Sequence, residues 1–176
     1  KKLLFEKLES ALYARLSPVL ASGKTPVITG YLGVLPGGIM AHMDRGYSDS
    51  TAVLVARALV SQGISERHAR VEICKTVSGI LSTDPNFFNH AKYPFLATED
   101  VAMARAVLRA EVSKSVIAKA SSSGAKVVNA VAAHLLETSP QVDATVRHTF
   151  QPEQSGTLIV NELSVAEKPG LRVITG

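Results

Sequence analysis

Arg45-Gly46-Tyr47-Ser48-Asp49-Ser50-Thr51 is the stretch in which residue types and spacing could do chemistry. Ser48, Asp49, Ser50 and Thr51 are the types that cap a helix N-terminus, and Gly46 lets backbone come close to a ligand. They predict a helix over Ala52–Gln62, apolar on nearly every side as a buried helix is. A helix start with open N–H groups, a fixed hydroxyl and a neighbouring arginine can receive a carboxylate or a phosphate. A capped core helix with an incidental arginine is the competing reading, and capping residues are common enough to leave both open.

Other constellations carry less. His42, His68, His90, His134 and His148 show no metal-like pairing at helical spacing. Ser48, Asp49 and His42 lack the strand–elbow surroundings of a hydrolase nucleophile. Ser121-Ser122-Ser123 reads as a connector in preference to a phosphate-binding turn, and Phe87-Phe88 as packing under a loop. The lone Cys74 excludes an internal disulfide, and its apolar run predicts a buried, reduced thiol.

The elements that must position the motif follow from periodicity. Leu4, Leu8, Leu12 and Leu16 recur every four residues and predict an amphipathic helix over Lys1–Leu16. Ser17-Pro18 restarts a short helical turn that Gly23 ends. The β-branched run from Thr25 to Leu32 predicts a buried strand, and Val34–Met40 a hairpin around Leu35-Pro36-Gly37-Gly38. Further strands are expected at Arg70–Lys75, Val142–Phe150 and Thr157–Val160, with a turn at Gly79 and Asp84-Pro85. Helices are expected from Thr98 to about Ser113, with a permissive continuation over Lys114–Ala120, and over Ala125–Glu137. Asn161–Gly170 reads as a linker. Alternating strands and helices imply a three-layer αβα sandwich with a mainly parallel sheet, and ligands at the carboxyl ends of its strands.

Composition sets the bounds. The 176 residues suit one domain, and 46% hydrophobic against 19% charged is globular, not disordered, composition. The net charge of +4 is scattered, and an aromatic content of 5% supplies no base-stacking platform, so nucleic acid is not an expected partner. With no stretch of membrane-span length and no signal peptide, the expected setting is the cytoplasm or an organelle matrix.

Taken together, the segments Val27–Gly33, Arg45–Asp49, Lys75–Pro85 and Gly124–Val127 resemble aspartate kinase, within the amino-acid-kinase family. Gly-Ile-Leu-Ser-Thr-Asp-Pro is shared across that fold, whereas Arg-Gly-x-Ser-Asp is the element that points to aspartate. Tyr47 and Lys75 resemble the fungal and ectoine-pathway variant. The resemblance implies an incomplete sandwich: the C-terminal half of a catalytic domain at residues 1–163, then a linker and the start of a truncated ACT-like regulatory region at 164–176. It implies ATP-dependent phosphorylation of the side-chain carboxylate of L-aspartate, with Mg2+ held mainly by ATP, in amino-acid biosynthesis under allosteric control.

Carried over by position, Arg45, Ser48, Asp49 and Gly30 would bind substrate. Lys75, Thr76, Leu81, Asp84 and Asn86 would bind nucleotide, and Lys126 would stabilise phosphate as the catalytic residue. The chain departs from the pattern where Thr76 and Ser78 replace acidic residues, Leu81 an aromatic and Asn86 an arginine. The family's N-terminal Lys-Phe-Gly-Gly-Thr strand and loop are absent. The isolated chain is therefore expected to be inactive, and to self-associate or to pair with the missing half. A catalytically degenerate binding or regulatory module is the alternative, and a purely structural scaffold a third.

Overall fold

The computed structural model describes residues 2–31, 37, 46–61, 69–81, 109–123 and 127–163. Among these residues the order is α1 (Lys2–Ala21), α2 (Tyr47–Ser61), β1 (Ala69–Lys75), β2 (Glu111–Ser113), α3 (Lys114–Ser122), α4 (Ala130–Glu137), β3 (Val142–His148) and β4 (Thr157–Val160). The four strands form one open sheet in the order β1-β3-β4-β2. β2 and β4 are parallel, with Val112 opposite Ile159. β1 and β3 are also parallel, because Ala69 bonds to Gln141 at one end and Lys75 to Thr149 at the other. The start of β4 lies beside the end of β3, as Gly156 against Val146 shows, so these two run in opposite directions. The fold is thus α/β with a mixed, mostly parallel sheet, as expected.

The chain forms two compact units: Lys1–Glu72 with Val128–Ala144, and Ile73–Val127 with Thr145–Gly176. In the first unit α2 packs against α1 and α4. Val53, Leu54, Ala58, Ala132, Ala133 and Leu136 are completely or almost completely buried, each large side chain contributing about 1.5–3 kcal/mol on burial. Leu16 is buried while Leu8 and Leu12 are half-buried, so the leucine stripe covers its side of the unit only in part. Arg57 ties the three helices together. Its Nε donates to Glu9 Oε1 at 2.7 Å, and its Nη1 to Leu135 O at 3.3 Å and Thr138 Oγ1 at 3.1 Å.

In the second unit β2 and β4 carry α3, whose first turn is capped by the Ser113 hydroxyl. Thr157, fully buried at the start of β4, organises this unit. Its Oγ1 accepts the Ile80 N–H at 2.8 Å and donates to the Arg109 carbonyl at 2.5 Å, while Arg109 N–H donates to Ile80 O. Thr157→Val keeps the shape and removes both side-chain bonds. It should cost about 1–3 kcal/mol in urea unfolding, the penalty of stranding buried polar groups, and Thr157→Ser should recover most of it.

Several expectations are corrected. The first helix is continuous through Pro18, at the loss of one backbone bond, and ends with Lys24 N–H on Val19 O and Gly23 N–H on Leu20 O. Residues 24–29 form no strand, and Val27 is 99% exposed. A β-branched run becomes a strand only when a neighbour completes its hydrogen bonds, and none of the described strands does so. Arg109 and Ala110 are not helical and Glu111–Ser113 is a strand, so no helix reaches Ser113. The continuation over Lys114–Ala120 is a helix of its own, α3. The last helix begins at Ala130, not Ala125, because Asn129 caps it. Cys74 is exposed, since strand alternation turns Val71 and Ile73 inward and Glu72 and Cys74 outward. Apart from Gly37, which has φ +81°, the expected hairpin lies outside the described residues, as do Phe87-Phe88 and most of the Thr98 helix.

Candidate functional site

The helix that the motif opens begins earlier than its capping residues suggest. α2 starts at Tyr47, so Ser48, Asp49 and Ser50 lie inside its first turn, with Gly46 before it. Gly46 has φ +87°, a conformation open to glycine and strained for other residues, and its carbonyl accepts the Asp49 N–H at 3.1 Å. Of the four polar side chains that follow, Asp49, Ser50 and Thr51 are buried and Ser48 is exposed.

Each buried one has a structural partner. Asp49 Oδ2 accepts the backbone N–H of Asn129 at 3.2 Å. Ser50 Oγ donates to Asn129 Oδ1 at 2.9 Å, and the same oxygen caps α4 by accepting Val131 N–H at 2.9 Å and Ala132 N–H at 3.3 Å. Thr51 Oγ1 donates to the Gly30 carbonyl at 2.5 Å. Gly30 in turn lies against Ser48: a Cβ there would come within 2.4 Å of Ser48 Oγ and 3.1 Å of Ser48 Cβ. Gly30, Ser48 and Asp49, three of the expected substrate-binding residues, are therefore brought together. Asp49 and Ser50 hold the turn from behind, and Ser48 is the polar side chain presented outward.

Tyr47 begins α2 with a buried ring, 2% exposed, and stacks on Tyr31 with centroids 6.1 Å apart and planes 27° apart. Burial pushes its phenol above the usual tyrosine value of 10.0 by disfavouring the anion. The folded state then holds this proton to higher pH than the unfolded chain. Its contribution is fully present below the unfolded pKa and is lost as pH rises through the folded one. Urea unfolding followed from about pH 8 to about pH 11 should show stability falling above pH ~10, and Tyr47→Phe should make that fall shallower.

Among the expected nucleotide-binding residues, Lys75 is half-buried at the carboxyl end of β1, Thr76 is exposed and Leu81 is half-buried. Lys75 O accepts both the N–H and the hydroxyl of Thr149. Arg45, Asp84, Asn86 and Lys126 lie outside the described residues. Asn129, Tyr31 as the ring partner of Tyr47, and Thr157 are not among the residues expected from the sequence. Asn129 carried a signal: an N-cap residue directly before Ala-Val-Ala-Ala.

Comparison with known proteins identifies the family to which the fold belongs. The family model for the amino acid kinase family matches residues 4–139. The chain belongs to the amino acid kinase family. It is 33% identical over 105 residues to the aspartokinase of Schizosaccharomyces pombe, covering 56% of this chain and 19% of that protein. It is 29% identical over 175 residues to the aspartokinase of Rickettsia bellii, covering 99% of this chain and 36% of that one. Among solved structures it resembles E. coli aspartokinase III in complex with aspartate and ADP, with a TM-score of 0.51 and 28% identity over 68% of this chain and 22% of the other. The chain thus spans between 19% and 36% of the length of these relatives. Among the described residues, no helix is long and apolar enough to cross a membrane.

Proposed function

We propose that this chain is part of an aspartate kinase, which transfers the γ-phosphoryl group of ATP to the side-chain carboxylate of L-aspartate. One observation carries the reading: Ser48, within the Arg45–Asp49 motif, is exposed at the start of α2 while Gly30 lies directly against it. An amino-acid carboxylate fits there, because the first-turn N–H groups and the dipole of α2 favour negative charge. Ser48 adds a hydroxyl donor, and Arg45 a two-pronged pairing. Asp49 contributes by fixing the turn through Asn129. The similarity to an aspartokinase solved with aspartate and ADP supports the same ligand pair for this chain.

Phosphoryl transfer is mostly positioning and charge neutralisation. Lys126 would stabilise the transferred phosphate, and Lys75, Thr76, Leu81, Asp84 and Asn86 would hold the nucleotide. Lys75, a cation at the carboxyl end of β1, stands where a parallel strand presents residues to ligands. Mg2+, held by the ATP phosphates, supplies charge neutralisation when bound. Residues 1–163 would form the catalytic portion and 164–176 the entry to an ACT-like regulatory region, in a protein that assembles as an oligomer.

A degenerate, aspartate-binding module is the second reading, favoured by the exposed Thr76 where the family pattern has an acid. Calorimetric titration of the complete encoded protein with L-aspartate and with ADP separates the two. Binding of both, with aspartate-dependent ATP turnover, supports the kinase. Aspartate binding alone supports the module, and binding of neither removes both.

A further inference from the structure

We infer that Tyr31 and Tyr47 are positioning residues for the Ser48 hydroxyl, an inference that rests on the aspartate-binding reading of this turn. Residues 24–29 lie outside regular secondary structure, so no sheet ladder sets the path of the chain into Gly30. The Thr29 hydroxyl donates to the Tyr31 carbonyl at 3.0 Å within the segment, and contacts with the first turn of α2 fix its place against the helix. The Gly30 carbonyl accepts the Thr51 hydroxyl, the Gly30 Cα lies against Ser48, and the Tyr31 ring stacks on Tyr47. The first two fix Gly30 at a point, and a glycine held at one point can still pivot. The stack supplies the second anchor, one residue further on, and sets the direction from which Gly30 approaches Ser48.

The two rings differ in what they can contribute. Tyr47 is 2% exposed and is part of the core, whereas Tyr31 is 50% exposed. Removing the Tyr31 ring therefore empties no core cavity and takes away only the second anchor of the Gly30 segment. With Gly30 still held by Thr51 but free to pivot, the Ser48 hydroxyl gains rotamers that its present neighbour excludes, and a carboxylate must pay to select among them again. The contact is ring on ring, so the Tyr31 hydroxyl is not required for it.

The experiment is calorimetric titration of L-aspartate, and separately of ADP, into the complete encoded protein as wild type, Tyr31→Ala and Tyr31→Phe, with melting temperatures recorded. Tyr31→Ala should weaken aspartate binding about 3–10-fold, the range of an aromatic pair. ADP affinity should not change, the melting temperature should shift by less than about 4 °C, and Tyr31→Phe should match wild type. Unchanged aspartate affinity in Tyr31→Ala overturns the inference, and so does an equal loss in Tyr31→Phe, which would make the hydroxyl a direct contact. A parallel loss of ADP binding or a larger fall in melting temperature also overturns it, by showing a merely structural role. Absence of aspartate binding in the wild type removes the functional reading itself, and the positioning role falls with it.

Discussion

Replacing Asn129 with alanine should destabilise the chain by about 2–4 kcal/mol, combining a lost helix cap with a stranded buried hydroxyl. Asn129 Oδ1 accepts from three donors: Val131 N–H, Ala132 N–H and Ser50 Oγ. The first two are the open amides at the start of α4: Val131 is half-buried, so water can partly satisfy its amide after the substitution, whereas Ala132 is buried. Ser50 is 0% exposed, so its hydroxyl has no such recourse. The magnitude is large against a domain's total stability of roughly 5–15 kcal/mol. Urea unfolding of wild type, Asn129→Ala, Ser50→Ala and the double variant checks it. Ser50→Ala removes the donor and its need together and should be milder. The double variant should cost less than the sum of the singles, because the penalty of the stranded hydroxyl disappears. Strict additivity would show that the two side chains do not act through one bond. Asn129→Ser should recover part of the cap.

Gly30→Ala should act in the opposite way, leaving stability nearly intact and impairing function. The added Cβ would meet Ser48 Oγ at 2.4 Å, but Ser48 Cβ at 3.1 Å and Ser48 Cα at 3.4 Å. The severe overlap is thus with the end of a short, exposed side chain that can rotate away, and the remaining contacts ask for only small shifts. The cost falls on the direction of the hydroxyl. If Ser48 holds the substrate carboxylate, misplacing it by about 1 Å can lower kcat/KM for aspartate on the order of 10²-fold. ATP turnover by the complete protein, with aspartate and ATP varied in turn, measures this. The loss should appear against aspartate and not against ATP. In a Ser48→Ala background the same Gly30→Ala change should have little further effect, since the group it displaces is gone. An equal effect in both backgrounds would place the fault in the backbone around Gly30 and count against Ser48 as the group that matters. The two substitutions separate what holds this turn from what the turn presents.

The sequence by itself determined those elements whose signal is local. Alternation in Val71-Glu72-Ile73-Cys74 and in Thr157-Leu158-Ile159-Val160 located β1 and β4, because side chains of a strand point to opposite faces in turn. The same alternation turns Cys74 outward, against the buried thiol that its apolar neighbours alone predict. The apolar run after Thr51 identified α2 as a buried helix, and Gly46 marked the turn before it. The motif order Gly30, Arg45–Asp49, Lys75–Pro85 carried the family. Only the tertiary structure decided which polar residues of the turn face outward. Asp49, Ser50 and Thr51 share the chemistry of Ser48, yet Asn129 and Gly30 engage them from 80, 79 and 21 residues away. The three-residue β2 is too short to show a period, and its pairing with β4 across more than forty residues makes it a strand. The β-branched run before Gly30 is the converse: its propensity is strong, but a strand is completed by the backbone of a neighbour, and among the described residues that neighbour is not supplied.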